Sequence, residues 1–172
     1  MGFLDQIYRD AVLEHARSPR NRGELDPYSV KQEGINPSCG DELVLYLQIR
    51  DGTVEDARFS GHGCAISQAS ASMMTQAIKG KPLAEVETLI GRFKAMIHGR
   101  GVDPSLGDLV VLEGISKLHA RVKCATLSWV TLQAALAAEA SGERVGQVTV
   151  DGDGGEPDGT QPTLEERSSD SS

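Results

Sequence analysis

The sequence predicts an α+β fold, a small antiparallel sheet packed against several helices. Three observations carry that expectation. A hairpin signal occupies residues 43–60, helical periodicity precedes it, and at least three helical stretches follow it. At 172 residues, 39% of them hydrophobic and 24% charged, the chain has the composition of an ordinary globular protein with one real core.

The elements follow in order. Leu4, Ile7, Tyr8, Ala11 and Val12 recur at helical spacing within residues 4–17, and the proline and glycine of residues 19–23 end that run. A loop or extended segment is expected up to Asn36 and Pro37. Leu43, Leu45, Leu47 and Ile49 then alternate with Val44, Tyr46 and Gln48, the period of a strand. Asp51-Gly52 is a hairpin turn signal, and a second strand over about 54–60 is expected to pair antiparallel with the first.

Gly61, His62 and Gly63 break that strand, and a helix of small residues is expected from about Cys64 to Ile78. Leu83, Val86, Ile90, Phe93 and Ile97 mark one face of the next helix. Residues 104–118 read as short helix and turn. A last helix is expected from Cys124 to about Ala140, with Trp129 and the pair Met73-Met74 read as core packing.

The net charge of −8 is unevenly placed. Residues 151–172 hold seven acids against Arg167, a net of −6, so the other 150 residues carry only −2. No basic patch emerges from such a sequence, and nucleic acid and anionic membranes are set aside as partners. The opening MGFLDQIYRD has no long apolar run and no stretch approaches the length of a membrane span, so a cytoplasmic address is expected. After Val150 the only large apolar residue is Leu164, a composition that predicts a disordered tail.

Three cysteines leave one over from any closed disulfide set, and in a reducing compartment spaced cysteines serve as ligands or nucleophiles more often than as staples. Each falls at an expected element boundary: Cys39 in the loop N-P-S-C-G-D, Cys64 after G-H-G, and Cys124 at the start of the last helix. A helix N-terminus favours thiolate. In extended chain, residues i and i+2 point the same way, so Cys39 and Asp41 can reach one ion. Three thiolates and a carboxylate would fill a tetrahedral zinc shell, with Arg121 and Lys123 offsetting its negative charge. Against this stands the reading of each cysteine as a small buried hydrophobe. Spacing alone leaves both readings open. His62 is read as a solvated loop residue, and His15, His98 and His119 as structural.

Five stretches resemble one family: P-R-N-R-G (19–23), N-P-S-C-G-D (36–41), G-H-G-C-A-I-S (61–67), A-S-M-M-T-Q-A-I-K-G-K (71–81) and A-R-V-K-C-A-T-L-S-W (120–129). They are similar, in order and around all three cysteines, to the SufU branch of the IscU/NifU-like iron–sulfur cluster assembly proteins. The long interval between Cys64 and Cys124 favours SufU over the IscU scaffolds. So does Lys123, which stands where IscU-type chains carry a histidine; a protonated amine is a poor metal ligand.

The resemblance implies a SufE/IscU-like fold over residues 1–146, followed by the acidic tail 147–172. It implies zinc held by Cys39, Asp41, Cys64 and Cys124, with Cys39 accepting persulfide sulfur from a SufS-type cysteine desulfurase that serves the Suf assembly machinery. The chain would then be an accessory sulfurtransferase, with Arg121 contacting the partner or tuning the site. The alternative is a scaffold that builds and passes on a [2Fe–2S] cluster.

Overall fold

The computed structural model describes residues 3–150, with side chains from Arg9 onward. The expected acidic tail lies outside the described residues from 151 on. Helix α1 (Phe3–Arg17) leads into strands β1 (Val30–Asn36), β2 (Asp41–Arg50) and β3 (Thr53–His62). Helices α2 (Ala65–Ile78) and α3 (Leu83–Ile97), a 3₁₀ segment (Pro104–Lys117), helix α4 (His119–Ala140) and strand β4 (Val145–Thr149) complete the order. The α+β class and the hairpin are as expected. At the β2–β3 turn both Asp51 and Gly52 have positive φ, 53° and 71°, the conformation a type I′ hairpin requires.

The sheet is larger than the sequence suggests and is mixed. Its order is β3-β2-β1-β4, with β1–β2 and β2–β3 antiparallel and β1–β4 parallel. Strand β1 occupies the second half of the segment expected to be loop or extended chain. Its inward positions are Val30, Gln32, Gly34 and Asn36, so one face is buried without an apolar alternation to announce it. Strand β4 follows the last helix where no strand was expected. Of its five residues only Val148 is buried.

One face of the sheet is covered by helices. Trp129 of α4 is fully buried, stacks on Phe93 of α3 at 4.2 Å between ring centroids, and donates its indole N–H to Ser70 Oγ at 3.1 Å. Met73 and Met74 are buried as expected. Helix α2 is buried on nearly every side, which its run of Ser and Ala permits by keeping neighbouring backbones close. Helix α4 lies close to β1 at Gly34, where a Cβ would collide with Thr131 Oγ1. Among the described residues no helix is long and apolar enough to cross a membrane.

Candidate metal and sulfur centre

Two strand registers bring the first corners together. The β1–β2 pairing sets Asn36 opposite Asp41, with Cys39 on the exposed turn between them; its N–H bonds Asn36 O at 3.3 Å. The β2–β3 pairing sets Glu42 opposite His62, which delivers Gly63 and Cys64 beside Asp41. Asp41 is 1% exposed, and its Oδ1 accepts the Cys64 backbone N–H at 3.0 Å. Gly63 makes room for that carboxylate, since a Cβ there would sit 2.7 Å from Asp41 Oδ1. Cys64 is the N-cap of α2, and Ser67 N–H donates to its Sγ at 3.4 Å.

The arginine-rich stretch before β1 braces this corner. Arg22 donates to Gly61 O and to Gln68 Oε1, each at 2.5 Å, tying the end of β3 to the first turns of α2. Asn21 reaches Thr75 Oγ1 at 3.1 Å, and Arg20 N–H reaches Ser72 Oγ at 2.8 Å.

The fourth corner departs from expectation. Cys124 does not open the last helix: α4 begins at His119, so Cys124 lies in its second turn and gains little from the helix dipole. Residues 119–123 continue the helix because no Pro or Gly interrupts them. Cys124 is fully buried, and its Sγ lies 3.5 Å from Cys39 Sγ. Ligand atoms of Cys39, Asp41 and Cys124 all fall within 4.8 Å of one another. Cys64 Sγ lies 4.0 Å from Asp41 Oδ2. No histidine belongs to the Cys39–Asp41–Cys124 cluster.

These spacings suit a metal shell. Zinc–sulfur bonds of about 2.3 Å in a tetrahedron put neighbouring sulfurs about 3.8 Å apart. The buried Asp41 carboxylate, with one backbone N–H on its Oδ1, also calls for a cation. The thiols are electrostatically coupled. A hydrogen bond from Cys124, helped by the Ser67 N–H, draws Cys64 down to about 6 against the opposing effect of burial. The same contact and burial push Cys124 well above the usual thiol range. Arg121 hydrogen-bonds Cys124 and feels the charges of Cys124 and Cys64, which strengthen its hold on its proton.

A groove of about 820 Å³ opens beside Cys39, lined among others by Ser38, His98, His119, Arg121 and Lys123. Its two histidines, read from sequence as structural, therefore border the site. Their only sequence signal is the cationic company of Arg100, Arg121 and Lys123. His62 is exposed as expected, but it is the last residue of β3 rather than a loop residue, paired with Glu42 and 3.8 Å from its Oε2. Asn36, which opens the N-P-S-C-G-D stretch, is buried opposite Asp41 with neither side-chain polar atom hydrogen-bonded among the described residues.

Comparison with known proteins gives the site its context. The family described as NifU-like N terminal domain matches residues 7–141. The chain is 46% identical over 141 residues to the zinc-dependent sulfurtransferase SufU of Bacillus subtilis (strain 168), covering 81% of this chain and 95% of that one. It is 45% identical over 131 residues to the iron–sulfur cluster assembly scaffold protein IscU of Thermotoga maritima, covering 76% and 92%. A NifU-like N-terminal structure from Brucella abortus shares the fold, with a TM-score of 0.74 over 81% of this chain and 99% of that one, at 24% identity. The chain belongs to the NifU-like N terminal domain family, among relatives that include SufU and IscU iron–sulfur assembly proteins.

Proposed function

We propose that this chain is a zinc-dependent sulfur acceptor that takes persulfide sulfur from a SufS-type cysteine desulfurase in the cytoplasm, for iron–sulfur cluster assembly. Overall identity does not decide between the two named relatives, at 46% and 45%. The donor set carries the reading: sulfurs and a carboxylate within bonding reach of one ion, with Lys123 rather than an imidazole before Cys124.

Cys39, Asp41, Cys64 and Cys124 would hold the ion. Bound zinc keeps thiolates deprotonated and, having no redox chemistry of its own, does not promote their oxidation. Three thiolates and a carboxylate carry four negative charges against two positive, and the Arg121 guanidinium offsets part of the remainder. Cys39 is the exposed thiol, on a turn rather than a helix, and so is the one a partner can reach. Its thiolate attacks the outer sulfur of the desulfurase persulfide. A new sulfur–sulfur bond forms on Cys39, and the desulfurase cysteine leaves as thiolate. Arg121 lines the groove beside Cys39, which supports a role for it in contacting the partner.

Cys39→Ala tests the assignment. Stimulation of the desulfurase should be abolished while zinc binding declines only in part; undiminished stimulation refutes the role of Cys39. The competing scaffold reading, in which the same residues hold a [2Fe–2S] cluster, is separated by anaerobic purification. One zinc per chain without visible absorption supports sulfur transfer, and iron with sulfide and a brown colour supports the scaffold.

A further inference from the structure

We propose that Asn36 is a positioning residue of the metal centre, its side-chain amide donating to the Asp41 carboxylate that faces it across the β1–β2 ladder. This role rests on the metal-binding part of the function proposed above, and not on the sulfur chemistry.

Asn36 stands where the inward row of β1 meets the site. Residues i and i+2 of a strand share a face, so Val30, Gln32, Gly34 and Asn36 all lie on the face that the helices cover. The register sets Asn36 directly opposite Asp41, and the two are 0% and 1% exposed. Side chains so paired have Cβ atoms about 4.5–5.5 Å apart. An amide and a carboxylate of this length can therefore hydrogen-bond with no change in the backbone.

Neither polar atom of the Asn36 side chain is hydrogen-bonded among the described residues. A buried amide in that condition is unfavourable, and its presence in a packed interior calls for a cause. Asp41 supplies one. Its Oδ1 accepts the Cys64 backbone N–H at 3.0 Å, while its Oδ2 lies 4.0 Å from the Cys64 sulfur. Carboxylate oxygens accept more than one donor each, and the Asn36 amide carries two N–H groups. Hydrogen bonds from neighbouring groups fix the orientation of a ligating carboxylate. A neutral donor suits that task, because an arginine or lysine in its place would compete with the ion for the carboxylate charge.

The main chain of Asn36 serves the same site. Its carbonyl accepts the N–H groups of Cys39, at 3.3 Å, and of Gly40, at 3.0 Å, closing the turn that presents the Cys39 thiol. Pro37 follows and favours the extended backbone of Asn36. One residue thus holds the Cys39 turn through its backbone and faces the Asp41 ligand with its side chain. Gln32 provides the contrast. It is 1% exposed and equally unpaired among the described residues, but it lies beside Gly146, four residues and about 13 Å back along β1.

The test removes the amide and keeps the shape. In metal-free protein Asn36→Leu should melt at the temperature of the native chain or a few degrees above it, since an apolar group of similar size replaces an unpaired amide. Its zinc affinity, measured by competition with a chromophoric chelator, should nonetheless fall about 10–100-fold, the usual effect of losing a group that orients a ligand. Gln32→Met should be as harmless to the melt and should leave zinc affinity unchanged. Cobalt in place of zinc reports the shell itself: its visible bands should shift in Asn36→Leu and not in Gln32→Met. In the native chain, zinc should move the Asn36 side-chain amide resonances downfield, the mark of a hydrogen bond to an anion, and leave those of Gln32 in place. Native zinc affinity and native cobalt bands in Asn36→Leu overturn the proposal. So do Asn36 amide resonances that ignore zinc, and a melt of metal-free Asn36→Leu lowered together with affinity would then mark a structural role. A native chain that binds no metal overturns this role and the zinc reading together. One that binds zinc but accepts no sulfur from a desulfurase refutes the sulfur-acceptor reading alone.

Discussion

Gly63 is the glycine whose missing side chain bears directly on a candidate metal ligand, the Asp41 carboxylate. A Cβ there would sit 2.7 Å from Asp41 Oδ1 and 3.1 Å from both Asp41 Cγ and Ser67 Oγ, whereas ordinary contact begins near 3.4 Å. In Gly63→Ala the carboxylate oxygen must therefore retreat by about 0.7 Å (3.4 less 2.7), and metal shells tolerate roughly 0.2 Å. The retreat also stretches the bond from Cys64 N–H, now 3.0 Å, that aims the carboxylate. Disturbing a group that orients a ligand typically costs 10–100-fold in metal affinity, about 1.4–2.7 kcal/mol. Competition against a chromophoric zinc chelator measures this directly. Gly91→Ala, on α3 with no atom within 4 Å of the added methyl, is the control and should leave affinity unchanged. Zinc affinity of Gly63→Ala equal to that of the native chain, in a protein that still melts cooperatively, would refute the placing of Asp41 in the shell.

Four further outcomes are expected. In metal-free protein, thiolate absorbance should show a first proton lost near pH 6 and should lose that step in Cys64→Ser; a single transition near 8.5 would contradict the coupling of Cys64 with Cys124. Because the folded state lowers Cys64, its contribution to stability is present above pH 9 and lost as pH falls through about 6. Cys124 is raised, so stability should decline again above pH 9, and denaturant midpoints across that range check both signs. Mild oxidation of the metal-free chain should join Cys39 to Cys124, whose sulfurs are already 3.5 Å apart, and peptide mapping would detect a different pairing. Gly34→Ala should cost about 1–3 kcal/mol by overpacking against Thr131, with roughly 2–4 °C of Tm lost per kcal/mol; an unchanged melt excludes the tight α4–β1 contact.

Much of the site was legible because a hairpin turn is also a ruler. With Asp51-Gly52 at the turn, antiparallel counting already sets residue 41 near 62, and the one irregularity, between Gln48 and Ile49, shifts the register by a single residue. The Cys39, Asp41 and Cys64 corner follows from that. Strand β1 was not legible, because its inward side is Gln32, Gly34 and Asn36 behind Val30, and a polar or missing side chain gives no hydrophobic period. Strand β4 pairs through backbone groups to an adjacent strand and buries only Val148, so its sequence says little. Cys124 does not mark the start of α4, because nothing in residues 119–123 disfavours helix and the helix runs back to His119.

The position of Cys124 depends on the element that was hardest to read. Thr131, which closes on Gly34, lies seven residues beyond Cys124, two turns and about 10.5 Å along the same face of α4. The missing side chain at Gly34 therefore sets how near α4 approaches β1, and through a stiff helix it sets how deeply the Cys124 sulfur enters the cluster. Gly63 acts differently, since it admits the Asp41 carboxylate without carrying a helix. Substitution at 63 should accordingly change metal affinity with little change in the melt of the metal-free chain, while substitution at 34 should move both together. Gly34, the third inward residue of β1, thus belongs to the site as much as to the fold.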